Sequence, residues 1–282
     1  MSDQGEAKLL DVLQERFPDS SKTTLRTMLQ SDRVRVNGSP ERDAKRIIRP
    51  DDRVEVAARS VRSLDPRVRI IFEDADLVVV DKAAGLLTVP SPEVLFETAE
   101  SFLNEHYGGS VGKPRVYHVH RLDRDTSGVL VFARNTFIRE RLRALLESHD
   151  IERTYVAIVY GKLKASSGTF RSFLAEGRDL RVRTVLPTEG KEAITHWRTT
   201  ASGRRFSMLE LTLETGRRNQ IRVQLSEAGH PIVGDTMYGR GPDDELGRLG
   251  LHAKSLGFVH PTSGEMTRFT ADVPRAFRDL AL

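Results

Sequence analysis

The stretch that most constrains this chain is the polar run His120-Arg121-Leu122-Asp123-Arg124-Asp125-Thr126-Ser127-Gly128, which stands between two segments of strand character. Arg115 to Val119 alternates polar with apolar residues, and Gly128 to Ala133 is an apolar run as long as one buried strand. A fold that accommodates both must hold a charged loop between two strands. Two carboxylates and two guanidiniums within five residues balance the charge of that loop, so its carboxylates are expected to stay ionised and available as nucleophile or base. Solvated connecting loops have similar compositions, so local chemistry alone leaves the role of the loop open.

The pattern His-Arg-Leu-Asp-x-x-Thr-Ser-Gly over residues 120–128 resembles, without a substitution, the signature of the RluA-type pseudouridine synthases. The resemblance implies that Asp123 is the catalytic aspartate; Asp125 lies at a variable position and takes no role. Thr215-Gly216-Arg217-Arg218-Asn219-Gln220-Ile221-Arg222 resembles a later block of the family, with Asn219 in place of the usual histidine, and Gly229 to Asp235 with Tyr238-Gly239 follows at the right distance. This block implies that Arg222 pairs with the catalytic aspartate. Glu152-Arg153-Thr154-Tyr155-x-Ala157 resembles the block that supplies the active-site tyrosine, so Tyr155 is the third expected catalytic residue, with Arg153 where lysine is usual. On residue type alone, Tyr155 would be an ordinary strand tyrosine and Arg222 an exposed helical cation.

With 282 residues, the chain exceeds one domain of about 100–200 residues. Lys8 to Phe17 and Thr23 to Leu29 have helical spacing; Arg33 to Gly38 alternates and ends in an Asn-Gly turn, and Asp51 to Val56 reads as turn then strand. This order resembles the alpha-L RNA-binding motif and implies RNA contact through Lys22, Arg26, Arg33 and Arg35. The expected division is residues 1–58 for this small domain, 59–68 for a Ser- and Pro-containing linker, and 69–282 for a synthase domain. The expected fold class is α+β, with the large domain a mixed, mainly antiparallel sheet. In it, Leu77 to Lys82 is a buried strand in which Lys82 receives no catalytic role. Asn135 caps a helix whose stripe Phe137, Ile138, Leu142, Leu145 and Leu146 belongs to the core. Phe170 to Thr200 forms antiparallel sheet and a candidate RNA-contacting insertion.

Composition narrows the classes of partner. An estimated pI of 9.4 and a net charge of +4, with Arg far outnumbering Lys, suit contact with phosphate. One Trp and five Tyr make a poor platform for stacking many bases, which favours selective capture of one or two. Without cysteine there are no disulfides, thiolate zinc sites or thiol nucleophiles. No run approaches the roughly 20 apolar residues that span a bilayer, and Met1 to Glu6 lacks the apolar core of a signal peptide. The expectation is a monomeric cytoplasmic enzyme.

Isomerising uridine to pseudouridine breaks the bond from ribose to uracil N1, turns the base and rejoins it through C5. No external donor or redox step is involved, so neither cofactor nor metal is expected. Arg121 is the expected wedge that replaces a flipped base, and Tyr155 is expected to pack on that base and exchange a proton at C5. The favoured RNA is ribosomal RNA of the large subunit, with transfer RNA second. Two rival readings are a metal-dependent hydrolase built on His118, His120 and Asp123, and a catalytically inactive RNA-binding protein.

Overall fold

The computed structural model describes residues 7–30, 32–57, 64–109, 114–239 and 245–281. The chain divides into two compact units, Met1–Ser63 with Asn104–Arg115, and Leu64–Leu103 with Val116–Leu282. Residues 59–63 of the expected linker lie outside the described residues.

In chain order the first unit has β1 (Ala7–Lys8), α1 (Leu9–Arg16), α2 (Lys22–Gln30), β2 (Val34–Val36), β3 (Ser39–Pro40), β4 (Ile47–Ile48) and β5 (Val54–Val56). The two helices bury Leu9, Leu13, Leu25 and Leu29 against Val34 and Val36, the apolar half of the alternating run. Asn37 and Gly38 both have positive φ, 54° and 83°, as a tight turn that follows the twist of β2 and β3 requires. Lys22, Arg26 and Arg35 are exposed. Arg35 reaches its own turn at Gly38 O, and Arg33 donates to the Ala57 carbonyl at 3.2 and 3.3 Å. Lys22 and Arg26 have no acid partner among the described residues.

The chain continues with β6 (Val68–Glu73), β7 (Leu77–Lys82) and α3 (Ala99–His106), whose last three residues are assigned to the first unit, and then, in the second unit, β8 (Tyr117–His118), β9 (Ser127–Ala133), α4 (Thr136–Glu147), β10 (Glu152–Tyr160), β11 (Ser167–Glu176), β12 (Val182–Thr184), β13 (Lys191–Ser202), β14 (Phe206–Leu213), α5 (Gln220–Glu227), β15 (Leu251–Val259), β16 (Met266–Thr270) and α6 (Arg275–Leu280). The second unit's sheet runs β12-β11-β13-β14-β10-β15-β9-β7-β6, with β16 on β15 and β8 on β9. Every pairing is antiparallel except β15 with β9, the mixed, mainly antiparallel sheet that was expected. Both faces are covered at β10. Ala157 and Val159 of β10 pack with Leu209 and Leu211 under Ile221 and Leu225 of α5, while Val156 and Ile158, of opposite parity, pack with Phe206 and Phe277 of α6. The strand's period of two thus separates its two contacts.

Asn135 caps α4 as expected, its Oδ1 accepting from Ile138 N at 2.9 Å. The expected stripe needs one correction: Ile138 and Leu142 are buried, but Phe137 is 66% exposed. It sits one residue, about 100° of helix rotation, off the line through Ile138, Leu142 and Leu145, and Arg141 lies over its ring at 5.6 Å.

Candidate active site

The signature loop connects β8 to β9, as its flanking patterns imply, and three ties fix it from behind. Thr88 Oγ1 donates to Leu122 O at 2.9 Å and accepts from Leu122 N at 3.1 Å. Lys82, fully buried, donates to Ala83 O, Leu86 O and Arg124 O at 2.9, 2.7 and 3.1 Å. Gly128 closes the loop at φ +114°, and a Cβ there would lie 2.1 Å from Ala253 O. Only glycine permits β9 to approach β15 so closely. Asp123 precedes a turn closed by Thr126 N to Asp123 O at 3.2 Å.

Lys82, a strand residue to which the sequence lends no catalytic role, positions the loop, and only its three donors in the ammonium form satisfy three carbonyls at once. Burial pulls Lys82 down to about 7, against the opposing charges of Asp125 and Asp123. Lys82→Met strands three carbonyl acceptors, of which Leu86 O is buried, and is expected to lower stability by roughly 3 kcal/mol. Between pH 7 and the ordinary lysine range, the unfolded chain binds the proton that the folded protein has released. Wild-type stability therefore rises with pH in that window, and the melting gap between wild type and variant should widen from pH 7 to 9.5. A gap independent of pH would show that Lys82 does not titrate there.

Asp123, Tyr155 and Arg222, from the loop, β10 and α5, line one cavity of about 260 Å³ together with Arg121, Leu122 and Thr126. The Asp123 side chain is 26% exposed and that of Arg222 10%. Arg121 is exposed at the rim, without a partner among the described residues. Burial, with a further contribution from Asp123, pushes the Tyr155 phenol up to about 12, partly opposed by Arg153. Tyr155 is therefore a protonated hydroxyl at neutral pH, in the cavity that Asp123 also lines.

Arg222 is not the exposed cation that residue type alone favours. It lies in α5, where Gln220 to Leu225 are all buried. The polar members of that run have partners: Gln220 with Thr195 and Thr215, and Gln224 with Thr195 and Ser172. The planar fork of Arg222 grips Asp235, with Nε to Oδ2 and Nη2 to Oδ1 both at 2.8 Å. Arg222 Nη1 lies 3.3 Å from Asn219 Oδ1 and 3.6 Å from Asp123 Oδ2. The arginine therefore meets Asp123 as a neighbouring charge, while the bidentate grip goes to a different acid. Burial opposes the charge of Arg222, but the hydrogen bonds and charge of Asp235 outweigh it and hold the guanidinium above its ordinary value. Burial likewise pushes the Asp235 carboxyl up, and Arg222 outweighs it, leaving Asp235 below the usual carboxylate range. Asp235 stands in a stretch already matched to the family, but nothing in its local sequence marks it as the acid that Arg222 holds.

Asn219, at the residue where a histidine is usual, has φ 53°, a left-handed conformation that Asn tolerates better than most residues. The histidines of the rival metal site are engaged separately. His118 Nδ1 lies 2.9 Å from Glu100 Oε1. Burial pushes His120 down to about 3, so it is neutral, and its Nε2 faces Val131 N at 3.5 Å. Among the described residues no three His, Asp or Glu side chains converge as a metal site would require.

Comparisons with known proteins agree with this arrangement. The family model for RNA pseudouridylate synthase matches residues 76–227, and that for the S4 domain matches residues 8–54. The chain is 35% identical over 268 residues to an uncharacterized RNA pseudouridine synthase of Bacillus subtilis, covering 93% of this chain and 88% of that protein. It is 32% identical over 295 residues to ribosomal large subunit pseudouridine synthase D of Vibrio cholerae, covering 98% and 90%. The solved structure of human RNA pseudouridylate synthase domain containing 4 has the same fold, with a TM-score of 0.62 at 24% identity over 74% of this chain and 90% of that one. A complete signature loop facing a cavity, a matching fold and full-length relatives together place this chain in the RNA pseudouridine synthase family, as an RluA-type isomerase with an S4 domain.

Proposed function

We propose that this isomerase converts specific uridines of large-subunit ribosomal RNA to pseudouridine in the cytoplasm, acting as a monomer. In this reading Asp123 is the catalytic carboxylate and Arg222 the cation beside it. The observation that carries the assignment is that Asp123, Tyr155 and Arg222, far apart in sequence, line one cavity. Its volume of about 260 Å³ lies just below the roughly 300–1,000 Å³ of drug-sized ligand sites, which suits one extruded base. A carboxylate there can attack or stabilise the electron-poor anomeric carbon, or act at the base, as the bond to N1 breaks. Arg121 at the rim fills the gap left by the base, whose extrusion from a stack costs a few kcal/mol. Tyr155 packs on the base and exchanges the C5 proton. The ribosomal substrate is supported by the names of the relatives and by the S4 domain, whose Lys22, Arg26, Arg33 and Arg35 add contacts to phosphate. Mapping pseudouridine in cells lacking this protein tests the reading: loss of specific sites in large-subunit ribosomal RNA is expected. Loss confined to transfer RNA would transfer the activity there, and no loss at all would favour an inactive binding protein.

Removing residues 1–58 should leave the large unit active on a short target but weaken binding to long structured RNA. The salt dependence should flatten, because fewer phosphates are neutralised. Equal affinity and equal salt slope for the two proteins would exclude a binding role for these cations.

A further inference from the structure

The hairpin β11–β12 lies over α5, the helix that carries Arg222, and Tyr238 stands at the junction. Leu174 and Val182 of the hairpin are buried with Val223 of α5, and Tyr238 packs against them. The Tyr238 hydroxyl accepts from Val182 N at 2.9 Å and from Asn219 Nδ2 at 3.1 Å. The other end of Asn219 faces Arg222 Nη1 at 3.3 Å. The Tyr238 ring lies under the guanidinium of Arg222 at 5.3 Å, and its backbone N–H donates at 2.9 Å to Asp235 Oδ1, the same oxygen that accepts from Arg222 Nη2. Among the described residues, then, every side chain that holds Arg222, apart from Asp123, is Tyr238 or is hydrogen-bonded to it. A second tie, Thr184 Oγ1 to Glu227 Oε2 at 2.6 Å, joins β12 to the far end of α5.

The outer end of the hairpin has the chemistry of a phosphate contact. Arg178 and Arg181 are exposed and have no acid partner among the described residues, whereas Arg183 is paired with Asp179 and Arg218 with Glu176. Val182, whose N–H meets the Tyr238 hydroxyl, directly follows Arg181.

We propose that Tyr238 is a positioning residue that ties the arginine-tipped hairpin to Arg222, so that RNA held on the hairpin and the placement of Arg222 beside Asp123 are set together. The inference rests on the roles given above to RNA and to Arg222. Its physical content is a packed, hydrogen-bonded chain of Val182, Tyr238, Asn219 and Arg222, whose coupling a mutant cycle measures.

The test compares full-length wild type with Tyr238→Phe, with Arg178→Ala/Arg181→Ala, and with all three changes combined, on a C5-tritiated transcript of large-subunit ribosomal RNA. Phenylalanine keeps the ring and removes the shared acceptor. Its single-turnover rate at saturating RNA should fall about tenfold, with the dissociation constant within twofold of wild type. The double alanine variant should bind more weakly, with a salt slope shallower by about 1.4 if two single-strand phosphate contacts are lost. It should also lose rate at saturation, and adding Tyr238→Phe should then cost little more, because one chain is already broken. A wild-type rate for Tyr238→Phe, or rate losses that multiply, overturns the inference. Hydrogen exchange provides an arm independent of activity. RNA should slow amide exchange both at 177–184 and at 219–223 in wild type, but only at 177–184 in Tyr238→Phe. Protection of both segments in that variant, or of neither in wild type, also overturns it. A wild type that releases no tritium yet shows the coupled protection would instead condemn the reading of the reaction and leave the tie standing.

Discussion

Asp123→Asn should eliminate pseudouridine formation while the protein still folds and still binds RNA. The amide preserves the size of the carboxylate and leaves the turn to Thr126 N intact, because that bond uses the Asp123 backbone carbonyl. Only the negative charge facing the cavity is lost. If the carboxylate is nucleophile or base, the rate should fall by at least about a thousandfold, the scale on which such groups act. Asp125→Asn provides the internal control. Asp125 does not line the cavity, and its charge acts on Lys82 and Arg248 behind the loop. That variant should lose some stability and keep most of its turnover. Comparable losses in the two variants would shift the centre of the chemistry away from Asp123.

Arg222→Met should have the second largest effect, on two quantities at once. Activity falls because Asp123 loses the cation 3.6 Å away that balances its charge in the cavity. Stability falls because Asp235, 1% exposed, is left as a buried charge without its partner, a loss of about 3–5 kcal/mol. The sign of the pH dependence follows from the depressed carboxyl of Asp235. In wild type its contribution is present above the ordinary carboxylate range and lost as pH falls through the lowered folded value. In the variant, burial raises the same group, so the deficit in melting temperature should be widest near neutral pH and narrow as the solution is acidified. Arg222→Lys keeps the charge but cannot reproduce two parallel hydrogen bonds to Asp235, and should fall between wild type and Met in both rate and stability. A Met variant that melts like wild type and turns over normally would remove Arg222 from the site.

Features set by local chemistry are readable in the chain without a structure. The Asn37-Gly38 turn follows from the need for two left-handed residues, the Asn135 cap from a side-chain acceptor preceding an apolar stripe, and the two faces of β10 from alternation. The missing information is tertiary. Arg222 reads as an exposed helical cation on residue type alone; its burial, with that of Gln220 and Gln224, becomes tolerable through Thr195, Thr215, Ser172 and Asp235, which come from other elements. Lys82 resembles the polar end of an apolar strand until three carbonyls from two loops are seen around it. Phe137 shows the reverse case, an aromatic residue assigned to a core that its helix turns away from. The family signature identified Asp123 but was silent on the geometry that holds Arg222, because a motif records which residues recur and not which oxygen each donor reaches.

Asp123, in the cavity with Tyr155 and Arg222, is proposed to isomerise uridine in RNA. Release of tritium from C5-labelled uridine in a large-subunit ribosomal RNA transcript measures this directly, since C5 must give up its hydrogen when the base is rejoined there. Wild type should release tritium in proportion to the pseudouridine formed, and Asp123→Asn should release none at equal RNA occupancy. Release by Asp123→Asn at the wild-type rate, or none from wild type bound to the same RNA, would contradict the account.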